Sequence, residues 1–259
     1  MTKTEQDGCQ CADLKSDAVW TVTPLDLGTR YAHWAWFNYL DTTREPLKIT
    51  YRVWLLRSGS DFVLVDTGPP LEESKKRGIS DMASVKEKLN EAGISVGEVK
   101  HVILTHLHWD HASSADIYES AKFYVQQDEI NFFLGDAWRN EATARFFSHK
   151  EMLASLINSN QIVPIKEDIL LKPGLRLIKV GGHTPGSQIV VVKTKNGVEV
   201  LTGDAIPMNR NYTNAIPTGI LVDLHQVLEA RRLVHSLHPY CIYTGHDPIS
   251  RYVCNGKEL

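Results

Sequence analysis

The sequence predicts an α+β domain whose strands and helices stack in layers, and three observations carry that expectation. β-Branched apolar runs of strand length recur along the chain, amphipathic segments with helical spacing separate them, and histidines and aspartates collect just behind the apolar runs, next to glycine. Strand runs interleaved with helical segments fit a layered arrangement better than a helical bundle or a pure sandwich.

The elements follow in chain order. The polar stretch "MTKTEQDGCQCADLK" reads as part of a flexible tail over residues 1–18, with one domain expected over 19–259. The aromatic segment "YAHWAWFNYL" (31–40) precedes "LKITYRVWLLRSGSDFVLVDTGPP". That run alternates, is β-branched and has "SGSD" as its turn, so it predicts a hairpin ending at Asp66, Thr67 and Gly68. "SDMASVKEKLNEAG" has the pattern of an amphipathic helix, capped by Ser80 or Asp81 and stopped by Gly93. "VKHVILTH" is a short apolar strand, "AKFYVQQDEINFFLGD" a strand running into a helix, and about 137–160 a longer helical region. Strands return in "LRLIKVGGHTPGSQIVVVKTKNGVEVLTGDA", with "KNG" as a turn. "DLHQVLEARRLVHSL" (223–237) is helical, and "CIYTGHD" closes the series as a last short strand.

At 259 residues, 42% hydrophobic and 23% charged, the chain is able to bury a full core. Its formal net charge of -3 offers no basic field to neutralise phosphates, which argues against a dedicated nucleic-acid binder and leaves a small molecule as the expected partner. The N-terminus lacks the apolar centre of a signal peptide and no apolar run is long enough to span a bilayer, so a cytoplasmic protein without a membrane partner is expected. Cys9, Cys11, Cys241 and Cys254 lack C-x-x-C spacing and are expected as unpaired thiols.

The stretch "VILTHLHWDHASS" (102–114) places His106, His108, Asp110 and His111 directly behind an apolar run. Neutral imidazoles and carboxylates are zinc ligands, and a catalytic zinc site leaves one position for water. His106 and His108 are two apart, so in an extended segment they leave on the same side and share one ion. Asp110 and His111 follow where a turn or helix start aims them at a second. Unpaired, clustered imidazoles and carboxylates gain a fold nothing. Three more candidates stand in the same strand-end, glycine-flanked setting: His183 in "VGGHTPGS", Asp204 in "VLTGDA" and His246 in "YTGHD". His33, His101, His149, His225, His235 and His238 lack this context and read as solvated or capping residues.

The set T-H-L-H-W-D-H, G-H-T-P-G-S, T-G-D and G-H-D resembles the metallo-β-lactamase superfamily over roughly residues 50–250, and within it the N-acyl-homoserine lactonase family of dinuclear zinc hydrolases. The resemblance implies a four-layer αββα sandwich with the metals at one edge of the two sheets. It implies a first metal on His106, His108 and His183, a second on Asp110, His111 and His246, and Asp204 bridging the two. The ions would be two Zn2+, with manganese, iron or cobalt suited to the same donors. Asp66 in "LVDTG" matches the family's early strand motif; it is a candidate to orient a ligating histidine, the other reading being a turn-capping aspartate.

The implied reaction is the opening of a lactone ring, of the N-acyl-homoserine lactone kind or another lactone or ester, by a metal-bridging hydroxide. One ion would polarise the carbonyl and stabilise the alkoxide, with Asp110 and Asp204 as candidate catalytic residues and no serine or cysteine nucleophile. The family's helper tyrosine, three residues past the bridging aspartate, is replaced here by Pro207, and Tyr212 in "NRNYTN" is the candidate to reach in from the same loop.

Other members of the superfamily fit less well. Its exported β-lactamases carry a cysteine where Asp204 stands. Glyoxalase II, a glutathione thioesterase, shares the H-x-H-x-D-H run but builds its glutathione site from a basic C-terminal extension, and only residues 247–259 follow His246 here. A non-catalytic metal-dependent sensor would be expected to lack a ligand, and none is missing. The segments "HWAWFNYL" and "NFFLGDAWRNEATARFF" are rich in tryptophan and phenylalanine, suited to an apolar acyl or aromatic part of the substrate, to core packing, or to a homodimer contact. Trp109 is expected to face away from the ligands and pack underneath them.

Overall fold

The computed structural model describes residues 17–254; residues 1–16 and 255–259, with Cys9, Cys11 and nearly all of the expected tail, lie outside the described residues. One six-stranded sheet has the order β1 (Thr21–Ala32), β2 (Leu47–Ser58), β3 (Asp61–Val65), β4 (His101–Ile103), β5 (Lys122–Gln126) and β6 (Ile162–Ile165). The other runs from β12 (Tyr252–Val253) through β11 (Cys241–Thr244), β10 (Gly197–Gly203), β9 (Gln188–Thr194) and β8 (Leu175–Lys179) to β7 (Ile169–Lys172).

The side-chain pattern of β2 explains why the sheets stack. Tyr51, Val53 and Leu55 enter one apolar cluster while Trp54 and Leu56 enter another, so the strand is buried on both faces and belongs at the centre of a layered fold. The cluster between the sheets joins Trp54, Leu56, Val65 and Ile103 of the first to Leu177, Val190, Leu201 and Tyr243 of the second. Trp54 is wholly buried there, and its truncation to alanine costs about 3–5 kcal/mol. The outer face of the first sheet packs on Leu89, Phe133 and Leu153 from helices Val85–Glu91, Gln127–Leu134 and Lys150–Ile157. The outer face of the second packs on Ala230 and Val234 of helix Leu224–Ser236, started by the Asp223 carboxylate accepting from the Gln226 amide at 3.0 Å. These four layers are the αββα sandwich. No helix of the described residues is long and apolar enough to cross a membrane.

Several boundaries differ from expectation. Neither Ser80 nor Asp81 caps a helix, because the Ser80 backbone exchanges hydrogen bonds with Thr29 at 2.9 and 2.7 Å. The helix begins instead at Ser84, whose hydroxyl accepts from the Glu87 amide while Glu87 accepts from the Ser84 amide. The single helical region expected over 137–160 is broken into a 3-10 turn at Asp136–Trp138 and helices Glu141–Ala144 and Lys150–Ile157, with His149 in the left-handed conformation ahead of the last. The sequence predicts no strand before residue 31, yet β1 begins at Thr21. Pro24 and Gly28 mask β1, which is an edge strand with an irregularity between Asp26 and Gly28. Cys241 and Cys254 are free thiols.

Candidate metal centre

Strand ends from both sheets meet at one edge of the sandwich. β3 and β4 are parallel neighbours, with Val65 opposite Ile103, so Asp66 and the segment after Ile103 leave side by side. β10 and β11 are also parallel, with Gly203 opposite Thr244, which sends Asp204 and His246 out together. The loop between β8 and β9 supplies His183. Leu107 is buried in the outer core, so the extended chain turns its neighbours His106 and His108 the other way. One helical turn, Trp109–Ala112, then aims Asp110 and His111 back at them. Gly245 admits the Asp204 carboxylate, since a Cβ there would sit 2.3 Å from its Oδ1.

All seven candidate ligands are at most 9% exposed and their donor atoms converge. His183 Nε2 lies 3.2 Å from His106 Nε2 and 3.0 Å from His108 Nδ1. His246 Nε2 lies 3.4 Å from Asp110 Oδ2, and His111 Nε2 lies 3.8 Å from the same oxygen. Asp204 stands between these groups: its Oδ1 is 3.4 Å from His111 Nε2 and 3.2 Å from His246 Nε2, and its Oδ2 is 3.2 Å from His246 Nε2 and 3.5 Å from His183 Nε2. Metal–donor bonds of about 2.0–2.1 Å at tetrahedral angles put donors roughly 3.3 Å apart, close to the observed separations. Asp204 Oδ1 and His111 Nε2 are moreover buried without a hydrogen-bond partner among the described residues. The chemistry and spacing of these donors suit bound metal.

The outward nitrogens explain why the inward ones are free to ligate. His183 Nδ1 donates to the Ile220 carbonyl at 2.7 Å, His246 Nδ1 to the Thr50 carbonyl at 3.1 Å and His111 Nδ1 to Asp66 Oδ2 at 2.7 Å. A proton held on Nδ1 leaves the Nε2 lone pair facing the cluster. Asp66 is itself fixed, at φ 65°, by accepting from the Thr105 amide at 2.7 Å and from the Thr105 hydroxyl. Burial, reinforced by neighbouring imidazoles, holds His106 and His108 well below the ordinary histidine pKa, and burial also lowers His183. Burial pulls His111 and His246 the same way, but the carboxylates override it. Asp110, Asp66 and Asp204 raise His111, and Asp204 and Asp110 raise His246. Burial alone would raise Asp204, yet His246 and His111 hold it well below the usual carboxylate range.

The cluster opens on a cavity of about 320 Å³ lined by Tyr51, His108, Trp109, Asp110, His183, Asp204, Pro207 and His246, among others. An adjoining cavity of about 310 Å³ is faced by Phe132, Phe146, Phe147 and Leu221 and shares Trp36, Phe146 and Ile220 with the first. Both aromatic segments singled out in the sequence therefore reach these walls. Tyr212 does not. It is buried in the cluster on the far side of the second sheet, with Ala230, Val234 and Ile242, because its helix Asn209–Thr213 turns that side chain toward Leu224–Ser236. Tyr51 instead lines the cavity; burial and the nearby Asp110 keep its hydroxyl protonated by raising its pKa, and it has no hydrogen-bond partner among the described residues. Trp109 also departs from expectation: the strand geometry stops at His108, and the helical turn brings the indole to the cavity wall. No sequence signal marked Tyr51, one apolar-strand residue among many, or Glu129, which is fully buried where its two oxygens accept from the Leu107 and Gly186 amides at 2.9 and 3.1 Å.

A four-layer sandwich carrying a buried histidine and aspartate cluster at one sheet edge is the architecture of a metal-dependent hydrolase. The chain belongs to the metallo-beta-lactamase superfamily, whose family model matches residues 50–246. Among curated relatives, it is 25% identical over 224 residues to an N-acyl homoserine lactonase of a Bacillus species, covering 80% of this chain and 84% of that one. It is 30% identical over 170 residues to a probable metallo-hydrolase of Methanocaldococcus jannaschii, covering 65% of this chain and 68% of that one. An N-acyl homoserine lactone hydrolase solved with N-hexanoyl-L-homoserine at its catalytic metal center shares the fold at TM-score 0.73 and 22% identity, over 90% of this chain and 95% of that one.

Proposed function

We propose that the protein opens a lactone ring, or cleaves a related ester, at a dinuclear centre held by His106, His108, Asp110, His111, His183, Asp204 and His246, with zinc as the metal. The observation that carries this reading is the position of Asp204, whose carboxylate lies within 3.5 Å of the Nε2 atoms of His183, His111 and His246 and so faces imidazoles of both trios. Two divalent cations there would acidify a shared water and polarise the substrate carbonyl, so that no protein nucleophile is needed. Tyr51 donates its phenolic proton toward the carbonyl oxygen as negative charge develops. Asp110, at the cavity wall beside His246, takes a proton from the attacking water and returns it to the departing alkoxide as the acyl C–O bond breaks. Trp36, Phe146 and Phe147 exclude water and seat the apolar part of the substrate. Similarity to the lactonases supports the choice of ester.

A hydrolysis panel on metal-loaded protein tests this reading, with homoserine lactones of several chain lengths, aromatic lactones, a glutathione thioester and a phosphodiester. Lactone turnover that disappears in Asp204→Ala together with bound metal is expected. Preference for the thioester, or full activity in that variant, would sink it.

A further inference from the structure

The cavity beside the candidate metal ligands carries cations on its walls as well as metal-type donors. Arg30, Arg77 and Arg145 all line it, whereas the carboxylates among its lining residues are Asp110 and Asp204, both part of the donor cluster. Arg77 shares its charge with Glu73 through a 2.6 Å contact, is tied to the Ser148 hydroxyl at 3.2 Å and stacks over Trp109 with its Cζ 4.2 Å from the ring centre. Arg30 donates to the Arg77 carbonyl at 3.2 Å and lies over Trp36. Neither Arg30 nor Arg145 has a carboxylate partner among the described residues.

Arg30 and Arg77 are held in place rather than free to sweep through solvent, which is how a fixed anion site differs from a solvated surface charge, while the exposed Arg145 lies over Phe146 with its Cζ 5.7 Å from the ring centre. Arg30 and Arg77 line the same cavity as Tyr51 and act on it against the carboxylates of Asp110 and Asp204. A wholly neutral substrate would cover the arginines, remove their water and give nothing back. The adjoining aromatic cavity has the opposite character, with Phe132, Phe146, Phe147 and Leu221 on its walls.

Resting on the lactone or ester reading above, we propose that the substrate is an anionic one: a carboxylate or phosphate group is gripped by Arg30, Arg77 and Arg145 in the first cavity, and an apolar or aromatic group fills the second. The scissile bond lies between the two halves, over the candidate ligands His108 and His183, which line both cavities.

The test compares three γ-butyrolactones bearing the same aromatic substituent on metal-loaded protein: one with a free carboxylate, one with a phosphate in its place and one with the carboxylate amidated. An anionic member is expected to exceed the neutral amide in kcat/KM by roughly tenfold or more, mostly through KM, as for a charge-assisted hydrogen bond. Whichever anion is faster identifies the group. That preference should collapse in Arg30→Gln and in Arg145→Gln, the latter at an exposed position where folding is not at stake, and should shrink at high salt. Equal use of the amide and the anions, or variants that slow all three alike, would overturn the proposal. Should no lactone react, which defeats the lactone reading by itself, fluorescence of Trp36 and Trp109 still decides. The ring-opened dicarboxylate must bind more tightly than the matching amide, and Arg30→Gln must abolish the difference; equal binding overturns the proposal.

Discussion

Glu129 accepts a hydrogen bond from the amide of Leu107 at 2.9 Å, so a carboxylate in one helix holds the peptide between His106 and His108. Its other oxygen accepts from the Gly186 amide at 3.1 Å, in the loop that carries His183, and thus braces both segments supplying the first trio of imidazoles. Glu129→Gln puts an NH2 against one of those amides and should cost about 1–3 kcal/mol. Burial raises the Glu129 pKa despite the bonds it accepts. Its contribution to stability is therefore present at low pH and lost as pH rises through the folded pKa. Urea melts across pH should show that slope in the wild type and its absence in the Gln variant. Gly186→Ala is expected to be worse, since a Cβ would lie 2.2 Å from the Glu129 backbone nitrogen.

Asp66 sets the tautomer of His111 at 2.7 Å. Asp66→Asn keeps a residue that tolerates the left-handed backbone but removes the charge, and should weaken metal binding roughly tenfold to hundredfold, read by competition with a chelator. Unchanged affinity would leave Asp66 a turn residue only.

Tyr51 and Tyr212 make opposite predictions. Tyr51→Phe should lower kcat by roughly a hundredfold with metal content intact, the loss expected of one donor to a developing oxyanion. Tyr212→Phe should leave kcat unchanged, because that ring packs near Tyr252 and His235 behind the second sheet. Steady-state kinetics beside elemental analysis separates the two.

Metal uptake should release protons. His111 and His246 have raised pKa values and must shed any bound proton to ligate, whereas His106, His108 and His183 are lowered and already neutral near pH 7. Apparent affinity is therefore expected to climb with pH and flatten once His111 and His246 are neutral. Calorimetric titration in buffers of different ionisation enthalpy reads the proton count; none released below neutral pH would contradict it. Stripping the metal should also lower Tm, since metal at a thousandfold its Kd stabilises the fold by about 4 kcal/mol.

Much of the architecture is legible in local pattern. The β2–β3 hairpin, the helix after Asp223 and the strands around "KNG" follow from alternation, caps and turns, which depend on near neighbours in sequence. The β1 strand is not legible, because Pro24 and Gly28 break its local signal while tertiary pairing with β2 supplies the hydrogen bonds.

The sequence by itself determined a layered α+β class, the chemistry of the metal-type donors and their strand-end positions, since residue type and spacing carry that information, and its motifs implied the αββα order through their resemblance to the superfamily. Only the tertiary structure decided that Tyr51 rather than Tyr212 lines the cavity, that Glu129 ties two segments together and that three arginines share the cavity's walls. The reason is geometric: these residues are far apart along the chain, and the direction each side chain takes is set by how the two sheets and their outer helices pack.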